Sequence, residues 1–153
     1  ATPAGIIELI ERSKIQTEGK KCLVIGRSQI VGRPISILLS QNKIFGNSTV
    51  TVAHSRTSNL EELCLESDLI ISAIGKPEFI KGNMIKKGST IIDVGITRVD
   101  DSSSHKGYRI AGDVDFNSVS SRVGFITPVP GGVGPMTIAM LLKNTLKACS
   151  LSD

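Results

Sequence analysis

Residues 20–34, KKCLVIGRSQIVGRP, carry the signals of a strand, a tight turn and the start of a helix. The apolar run at 22–25 has no polar interruption, which is typical of a strand buried on both faces of a parallel sheet. The apolar residues at 35–39, just after Pro34, have the spacing of the inner side of a helix. This stretch therefore predicts a strand–turn–helix unit.

The turn of this unit has the chemistry of an anion site. Amides in the first turn of a helix lack intrahelical acceptors, and glycine lets a ligand approach the backbone closely. We expect Gly26 to make the turn, Ser28 to add a hydroxyl donor and Gly32 to let the helix pack against the strand. The usual dinucleotide pattern has glycine where this chain has Ser28 and Ile30 or Val31. The alternative is that both glycines only shape a turn that binds nothing.

Length and composition favour one domain, residues 1–153, with a small anionic ligand. A chain of 153 residues can bury one core, and this core must be aliphatic because there is no Trp, one Tyr and four Phe. Few aromatic side chains and dispersed basic residues, at a net charge of +4, argue against nucleic-acid binding. No apolar run has the length of a membrane span, so we expect no membrane partner.

The three cysteines, Cys22, Cys64 and Cys149, are far apart in the sequence. Their spacing forms neither a disulfide framework nor a metal site, so we interpret them as small buried side chains in a reducing compartment. The start of the chain has no signal-peptide pattern. We therefore expect the cytoplasm, with the mitochondrial matrix as the alternative if a transit segment was removed.

The residues after the second predicted strand indicate which dinucleotide would bind. A carboxylate there usually binds the ribose 2′-hydroxyl of NAD, whereas basic or hydroxyl groups suit the 2′-phosphate of NADP. Residues 54–57 read HSRT, without a carboxylate, and Arg27 lies in the first turn. This combination favours NADP. His54 has no identifiable acid–base partner, so we interpret it as a surface or core side chain. The turn at 75–77 is expected to face the cofactor, and Lys76 there either contacts phosphate or is a solvated turn lysine.

A second glycine-rich loop precedes the last helix. Residues 130–135 read PGGVGP, and Pro135 is expected to start a helix over 136–148. At the other end, Thr2 is expected to cap the first helix, with Pro3 at its first position. If both glycine loops lie on one edge of a parallel sheet, they form two walls of one crevice. The apolar residues of the last helix recur at helical spacing at Ile138, Leu141, Leu142 and Leu146, with Thr145 among them.

The alternation of strand and helix patterns predicts an α/β fold, Rossmann-like, with a doubly wound, mostly parallel sheet and helices on both faces. Asp93, at the end of an apolar strand, is either catalytic or, as we favour, an acceptor for backbone N–H groups. The serine-rich residues 98–107 are expected to form a flexible loop. We expect helices at 1–12, 35–41, 59–67 and 136–148, a short helix or turn at 81–87, and strands at 22–25, 49–53, 69–74, 89–94, 108–114 and 124–129.

Five blocks of the sequence resemble the bifunctional methylenetetrahydrofolate dehydrogenase/methenyltetrahydrofolate cyclohydrolase family. They follow one another in the family's order and cover nearly the whole chain, and the last block is long and specific. The connection at 42–46 is a little longer than in many members. The blocks are VIGRS at 24–28, IVG at 30–32 followed by Pro34, HSRT at 54–57, DVGI at 93–96 and TPVPGGVGPMT at 127–137.

This resemblance implies hydride transfer from 5,10-methylenetetrahydrofolate to NADP, followed by addition of water that yields 10-formyltetrahydrofolate. Arg27 and Ser55 would recognise the 2′-phosphate, and Ile96 would lie near the nicotinamide. The family's members often form homodimers. The implied cofactor-binding residues are Gly26, Arg27, Ser28, Ser55, Ile96 and Thr137, and the implied folate-binding residues are Pro130, Gly131, Gly132, Val133 and Gly134.

The family's folate pocket also uses a separate N-terminal domain, which supplies the catalytic lysine and a tyrosine. The opening residues 2–5 resemble the entry to the helix that follows that domain, so we assign no catalytic acid or base to this chain. We expect it to bind cofactor without turnover unless the missing domain is present. Two alternatives remain: a stand-alone dinucleotide-binding or scaffold module, and a different NADP oxidoreductase with the same fold.

Overall fold

The computed structural model describes residues 1–151, in which strands and helices alternate much as the sequence predicts. A short 3₁₀ turn, Gly82–Met84, lies between the third and fourth strands. The elements are α1 Thr2–Arg12, β1 Lys21–Ile25, α2 Gly32–Ser40, β2 Thr49–Ala53, α3 Leu60–Glu66, β3 Leu69–Ser72, β4 Thr90–Asp93, β5 Thr97–Asp100, β6 Tyr108–Ala111, α4 Phe116–Val119, β7 Phe125–Ile126 and α5 Val133–Ser150.

Five of these strands form one parallel sheet in the order β2-β1-β3-β4-β7. Ile25, at the end of β1, pairs with Ala53 of β2 on one side and with Ser72 of β3 on the other. The direction of strand addition reverses between β1 and β3, and ligands of open α/β sheets bind in the crevice at such a switch point. The carboxyl ends of these three strands are therefore where a site is expected.

The apolar runs of the sheet are continuous because helices cover both of its faces. In β1, Cys22 and Val24 pack into a core with α1 and α2, whereas Leu23 and Ile25 pack into a second core with α3. Side chains of a strand alternate between faces, so burial on both faces requires every residue to be apolar. The doubly wound α/β prediction is confirmed.

Two helix boundaries differ from the prediction. Ala1, not Thr2, is the N-cap of α1, and no side chain caps that helix. The last helix begins at Val133, before Pro135. A proline fits in the first turn of a helix because the amides there have no intrahelical acceptor.

The loop predicted over 98–107 is partly wrong, since β5 pairs antiparallel with β6 in a separate two-stranded hairpin. The guanidinium of Arg98 lies 4.6 Å from the centre of the Tyr108 ring. The hairpin lies outside the parallel sheet and buries little apolar surface. Its first strand, β5, therefore has a polar sequence, which does not predict a strand.

The apolar stripe of α5, formed by Ile138, Leu141, Leu142 and Leu146, is exposed in this chain, and Leu146 has 73% of its surface accessible. The helix buries Val133 and Met140 instead. Helical spacing therefore predicted an amphipathic helix without showing what its stripe contacts. Among residues 1–151, no helix combines the length and apolar composition needed to cross a bilayer.

The cysteine prediction is correct for Cys22 and Cys64, which are buried free thiols, and wrong for Cys149, which is exposed near the end of α5. Burial raises the pKa of the Cys22 thiol to about 12 and, with a contribution from the charge of Glu61, that of Cys64 to about 11. Both buried thiols are therefore unreactive at neutral pH.

Candidate functional site

A cavity of about 370 Å³, here called the first cavity, opens at the carboxyl ends of β1, β2 and β3. Its wall includes Gly26 and Arg27 from the turn after β1, Ser55 from the turn after β2, and Lys76 and Phe79 from the segment after β3. The structure thus brings together three of the predicted cofactor residues at the switch point of the sheet.

The turn after β1 requires glycine on steric grounds. Gly26 has φ +120°, and a Cβ there would collide with the backbone carbonyl of Ala73. A Cβ on Gly32 would collide in turn with the carbonyl oxygen of Gly26. The two predicted glycine roles, a tight turn and close packing of α2 on the strand, are confirmed.

The Ser28 side chain stabilises the turn after β1 through hydrogen bonds. Its Oγ accepts hydrogen bonds from the amides of Val31, at 3.1 Å, and Gly32, at 3.3 Å. Its carbonyl accepts a further bond from the amide of Arg33. Because its oxygen accepts while its hydrogen is uncommitted, the hydroxyl can still donate to an anion above the turn.

The turn after β2 is held by His54 and Thr57. The backbone amide of His54 donates to Thr57 Oγ1 at 3.0 Å, and His54 Nδ1 accepts from the amide of Arg56 at 3.1 Å. His54 is thus half-buried and shapes the turn through hydrogen bonds to backbone and hydroxyl groups. The turn places His54, Ser55 and Thr57 on the wall of the first cavity, whereas the exposed Arg56 is not among its lining residues.

The charge of the first cavity is positive. Arg27 and Lys76 line it, and no aspartate or glutamate side chain is among the lining residues. The ammonium of Lys76 lies 5.3 Å from the centre of the Phe79 ring, and both residues line the first cavity. Within residues 1–151, neither cation forms a salt bridge. This donor set fits the phosphates of a dinucleotide and places no carboxylate where NAD would require one.

A second cavity, of about 240 Å³, lies at the carboxyl ends of β4 and β7. Its wall combines Asp93 and Ile96 with the glycine-rich loop that leads into α5, and the Val129–Pro130 bond in that loop is cis. The structure thus places the predicted Ile96 next to the predicted folate-binding residues. The loop residues that line the second cavity are Pro130, Gly131, Gly132, Val133 and Gly134.

Within residues 1–151, the donors to the Asp93 carboxylate are backbone amides, as favoured above. Its Oδ1 accepts from the amides of Gly95, at 2.9 Å, and Asp113, at 3.0 Å, and its Oδ2 accepts from Val114 at 2.9 Å. Burial raises the pKa of this carboxyl, and the three amide donors oppose that shift. Asp93 therefore connects β4 to the segment that follows β6.

Thr137 is not among the residues that line either cavity. Its Oγ1 is 3.1 Å from Thr2 Oγ1 and 3.1 Å from the carbonyl oxygen of Val133. Its contact is with the start of α1, and its cofactor role stays a prediction. Within the described part of the chain, no three His, Cys, Asp or Glu side chains are grouped as a metal site requires.

Sequence reasoning missed Asp113, which it treated only as part of a turn. This residue is fully buried, and its two oxygens accept hydrogen bonds from the segment after β3. The one signal in the sequence was the Gly-Asp pair after a predicted strand. It could not reveal the partners of Asp113, because they lie 37 and 39 residues away in sequence.

A parallel sheet with a cationic, glycine-lined crevice at its switch point is the arrangement of the dinucleotide-binding α/β domains. The family model described as tetrahydrofolate dehydrogenase/cyclohydrolase, NAD(P)-binding domain, matches residues 1–153. The chain belongs to this family and corresponds to its NAD(P)-binding domain.

Individual relatives agree. The chain is 64% identical over 148 residues to the bifunctional protein FolD of Flavobacterium johnsoniae, covering 97% of this chain and 50% of the relative. It is 56% identical over 151 residues to that of Cytophaga hutchinsonii, covering 99% and 52%. A solved structure of the Trypanosoma brucei dehydrogenase–cyclohydrolase, complexed with NADP cofactor and inhibitor, has a TM-score of 0.91 at 43% identity and covers 99% of this chain and 50% of that one. The chain thus spans about half the length of these relatives.

Proposed function

We propose that this chain is the NADP-binding half of an enzyme that oxidises 5,10-methylenetetrahydrofolate to the methenyl form and hydrolyses that product to 10-formyltetrahydrofolate. The observation that carries the proposal is the first cavity, in which Arg27, Ser55 and Lys76 meet without a carboxylate at the switch point of the sheet. The family and the NADP complex of a structural relative support the same cofactor.

In this proposal the chain's own residues bind and orient the cofactor. Ser28 and the amides around Gly26 hold its phosphates, Arg27 and Ser55 contact the 2′-phosphate, and Ile96 lies beside the nicotinamide. The bound dinucleotide supplies the hydride acceptor. The loop at 130–134 borders both the nicotinamide and the folate, and Thr137 supports its end. Holding the donor carbon against the nicotinamide is what this half contributes to the rate.

We also propose that residues 1–153 form a single domain and that the catalytic acid or base belongs to a further, N-terminal domain. Two observations support the second point: the relatives are about twice as long, and the apolar stripe of α5 is exposed. A homodimer is the proposed assembly, on the resemblance to the family. The cytoplasm is the proposed location, which suits the free thiols of Cys22, Cys64 and Cys149.

The test compares NADPH with NADH on the purified chain by calorimetric titration. We expect NADPH to bind at least tenfold more tightly, because only NADPH offers a 2′-phosphate to Arg27 and Ser55. Equal affinities would refute the NADP assignment.

A second assay separates the enzyme from the alternative of a stand-alone binding module. The chain alone is expected to turn over no methylenetetrahydrofolate, and the native polypeptide, detected with an antibody against this chain, should be about twice its 16.3 kDa. A native band at the size of the chain itself would favour the binding module. Robust turnover by the chain alone would mean that its catalytic groups lie within residues 1–153.

A further inference from the structure

Two buried aspartates join the walls of the two cavities. Asp93 ends β4, and Asp113 follows β6; they are 3% and 0% exposed. Within residues 1–151, neither carboxylate contacts a cationic side chain, and every hydrogen-bond donor to them is a backbone amide or the Ser72 hydroxyl. A buried carboxylate with such donors fixes the backbone that supplies them.

Asp113 binds the segment that forms one wall of the first cavity. Its Oδ2 accepts from the amide of Ile74 at 2.7 Å and from Ser72 Oγ at 3.3 Å. Its Oδ1 accepts from the amide of Lys76 at 3.0 Å. The two amides lie on either side of Gly75, which has φ +73°. One carboxylate thus holds both ends of a left-handed glycine turn whose residues Ile74 and Lys76 line the first cavity.

Asp93 holds Asp113 and the second cavity at the same time. It accepts from the backbone amide of Asp113 itself and from the amide of Gly95, which lines the second cavity. The approach is close enough that a Cβ on Gly112 would collide with Asp93 Oδ2. A displacement of Asp113 would therefore shift backbone atoms in the walls of both cavities.

We propose that Asp113 is a positioning residue for dinucleotide binding: its carboxylate holds residues 74–76 as a wall of the first cavity, and Asp93 connects that wall to the second cavity. This role rests on the proposed NADP binding. It concerns the shape of the binding crevice, since Asp113 itself lines neither cavity.

Asp113→Asn removes one acceptor and keeps the size of the side chain. Both oxygens of Asp113 accept from backbone amides, so in either orientation the Asn side-chain nitrogen faces the amide of Ile74 or of Lys76. We expect the dissociation constant for NADPH to rise about tenfold, equivalent to about 1.4 kcal/mol at 25 °C. Exchange of the Ile74 and Lys76 amide hydrogens, measured by NMR, should accelerate while the amides of β1 stay protected.

Asp68→Asn is the matched control. Asp68 also accepts from a backbone amide, that of Lys21 at 3.0 Å, but at the amino-terminal ends of the strands, opposite the first cavity. The Asp68→Asn variant should have a lower melting temperature than the wild type and an NADPH affinity within twofold of it. A purely structural role for Asp113 would give the same result as this control.

A folded Asp113→Asn variant with the wild-type NADPH affinity, or an equal loss of affinity in Asp68→Asn, would overturn the positioning role. If Asp113→Asn does not fold, Ser72→Ala removes only the hydroxyl donor, and a twofold to threefold weaker affinity is then expected; an unchanged affinity would overturn the role. A wild-type protein that binds no NADPH at all would refute the proposed function and this role with it.

Discussion

Arg27→Ala is the substitution that most directly tests how the chain distinguishes NADPH from NADH. The backbone under Arg27 is fixed, because the amide of Gly26 donates to the carbonyl of Ala53 at 2.9 Å and Gly26 itself packs against Ala73. The guanidinium is exposed and forms no salt bridge within residues 1–151. Its removal therefore breaks no salt bridge, and the free energy of unfolding should change by less than about 0.5 kcal/mol.

The expected loss is confined to the phosphate contact. A hydrogen bond to a charged group contributes about 1.5–3 kcal/mol, so the NADPH-to-NADH affinity ratio should fall about 10-fold to 150-fold, mostly through weaker NADPH binding. The same contact is screened by salt, since the Debye length is about 8 Å at physiological ionic strength. Raising the ionic strength should lower the NADPH-to-NADH affinity ratio of the wild type and leave the ratio of Arg27→Ala nearly unchanged.

Calorimetric titration of both dinucleotides at two salt concentrations measures these ratios. Arg33→Ala is the matched control, because Arg33 is an exposed arginine of α2 that lines neither cavity. An Arg27→Ala ratio equal to that of the wild type would refute the reasoning. If the NADPH-to-NADH affinity ratio fell equally in Arg33→Ala, the cause would be the lower net charge of the protein and not a specific contact of Arg27.

Three further predictions follow from glycine geometry and thiol burial. Gly26→Ala should cost about 1–3 kcal/mol of stability from its backbone conformation alone and abolish NADPH binding, whereas Gly19→Ala, with φ +69° and open space around it, should leave binding intact; thermal melts and titrations check both. Iodoacetamide at pH 8 should modify Cys149 and spare Cys22 and Cys64 in the native protein, giving one adduct by mass spectrometry. Because the buried thiols have pKa values of about 12 and 11 against 9.0 in the unfolded chain, the unfolded state loses these protons first. Urea unfolding should therefore show stability falling above pH 9, by up to about 1.4 kcal/mol per pH unit for each thiol, and a slope no smaller in Cys22→Ala would contradict this.

Local signals determined much of the fold. The uninterrupted apolar run at 22–25 and its counterparts in β3 and β4 predicted strands covered on both faces, because only that environment makes every position apolar. Gly26 predicted the turn at the carboxyl end of β1. Arg27 and the carboxylate-free residues at 54–57 predicted a cavity suited to an anion, since turn geometry and side-chain type are both local properties.

The sequence by itself therefore determined the order of the five parallel strands and of helices α1, α2, α3 and α5, together with the two glycine turns and the favoured acceptor role of Asp93. Only the tertiary structure decided which distant segments those elements contact. Asp113 holds amides 37 and 39 residues before it, β5 pairs outside the parallel sheet, and the stripe of α5 lies exposed although its spacing is that of a packed helix. Spacing along one element records that a face is apolar or that a group can accept hydrogen bonds; the partner of that face or group is set by the path of the rest of the chain.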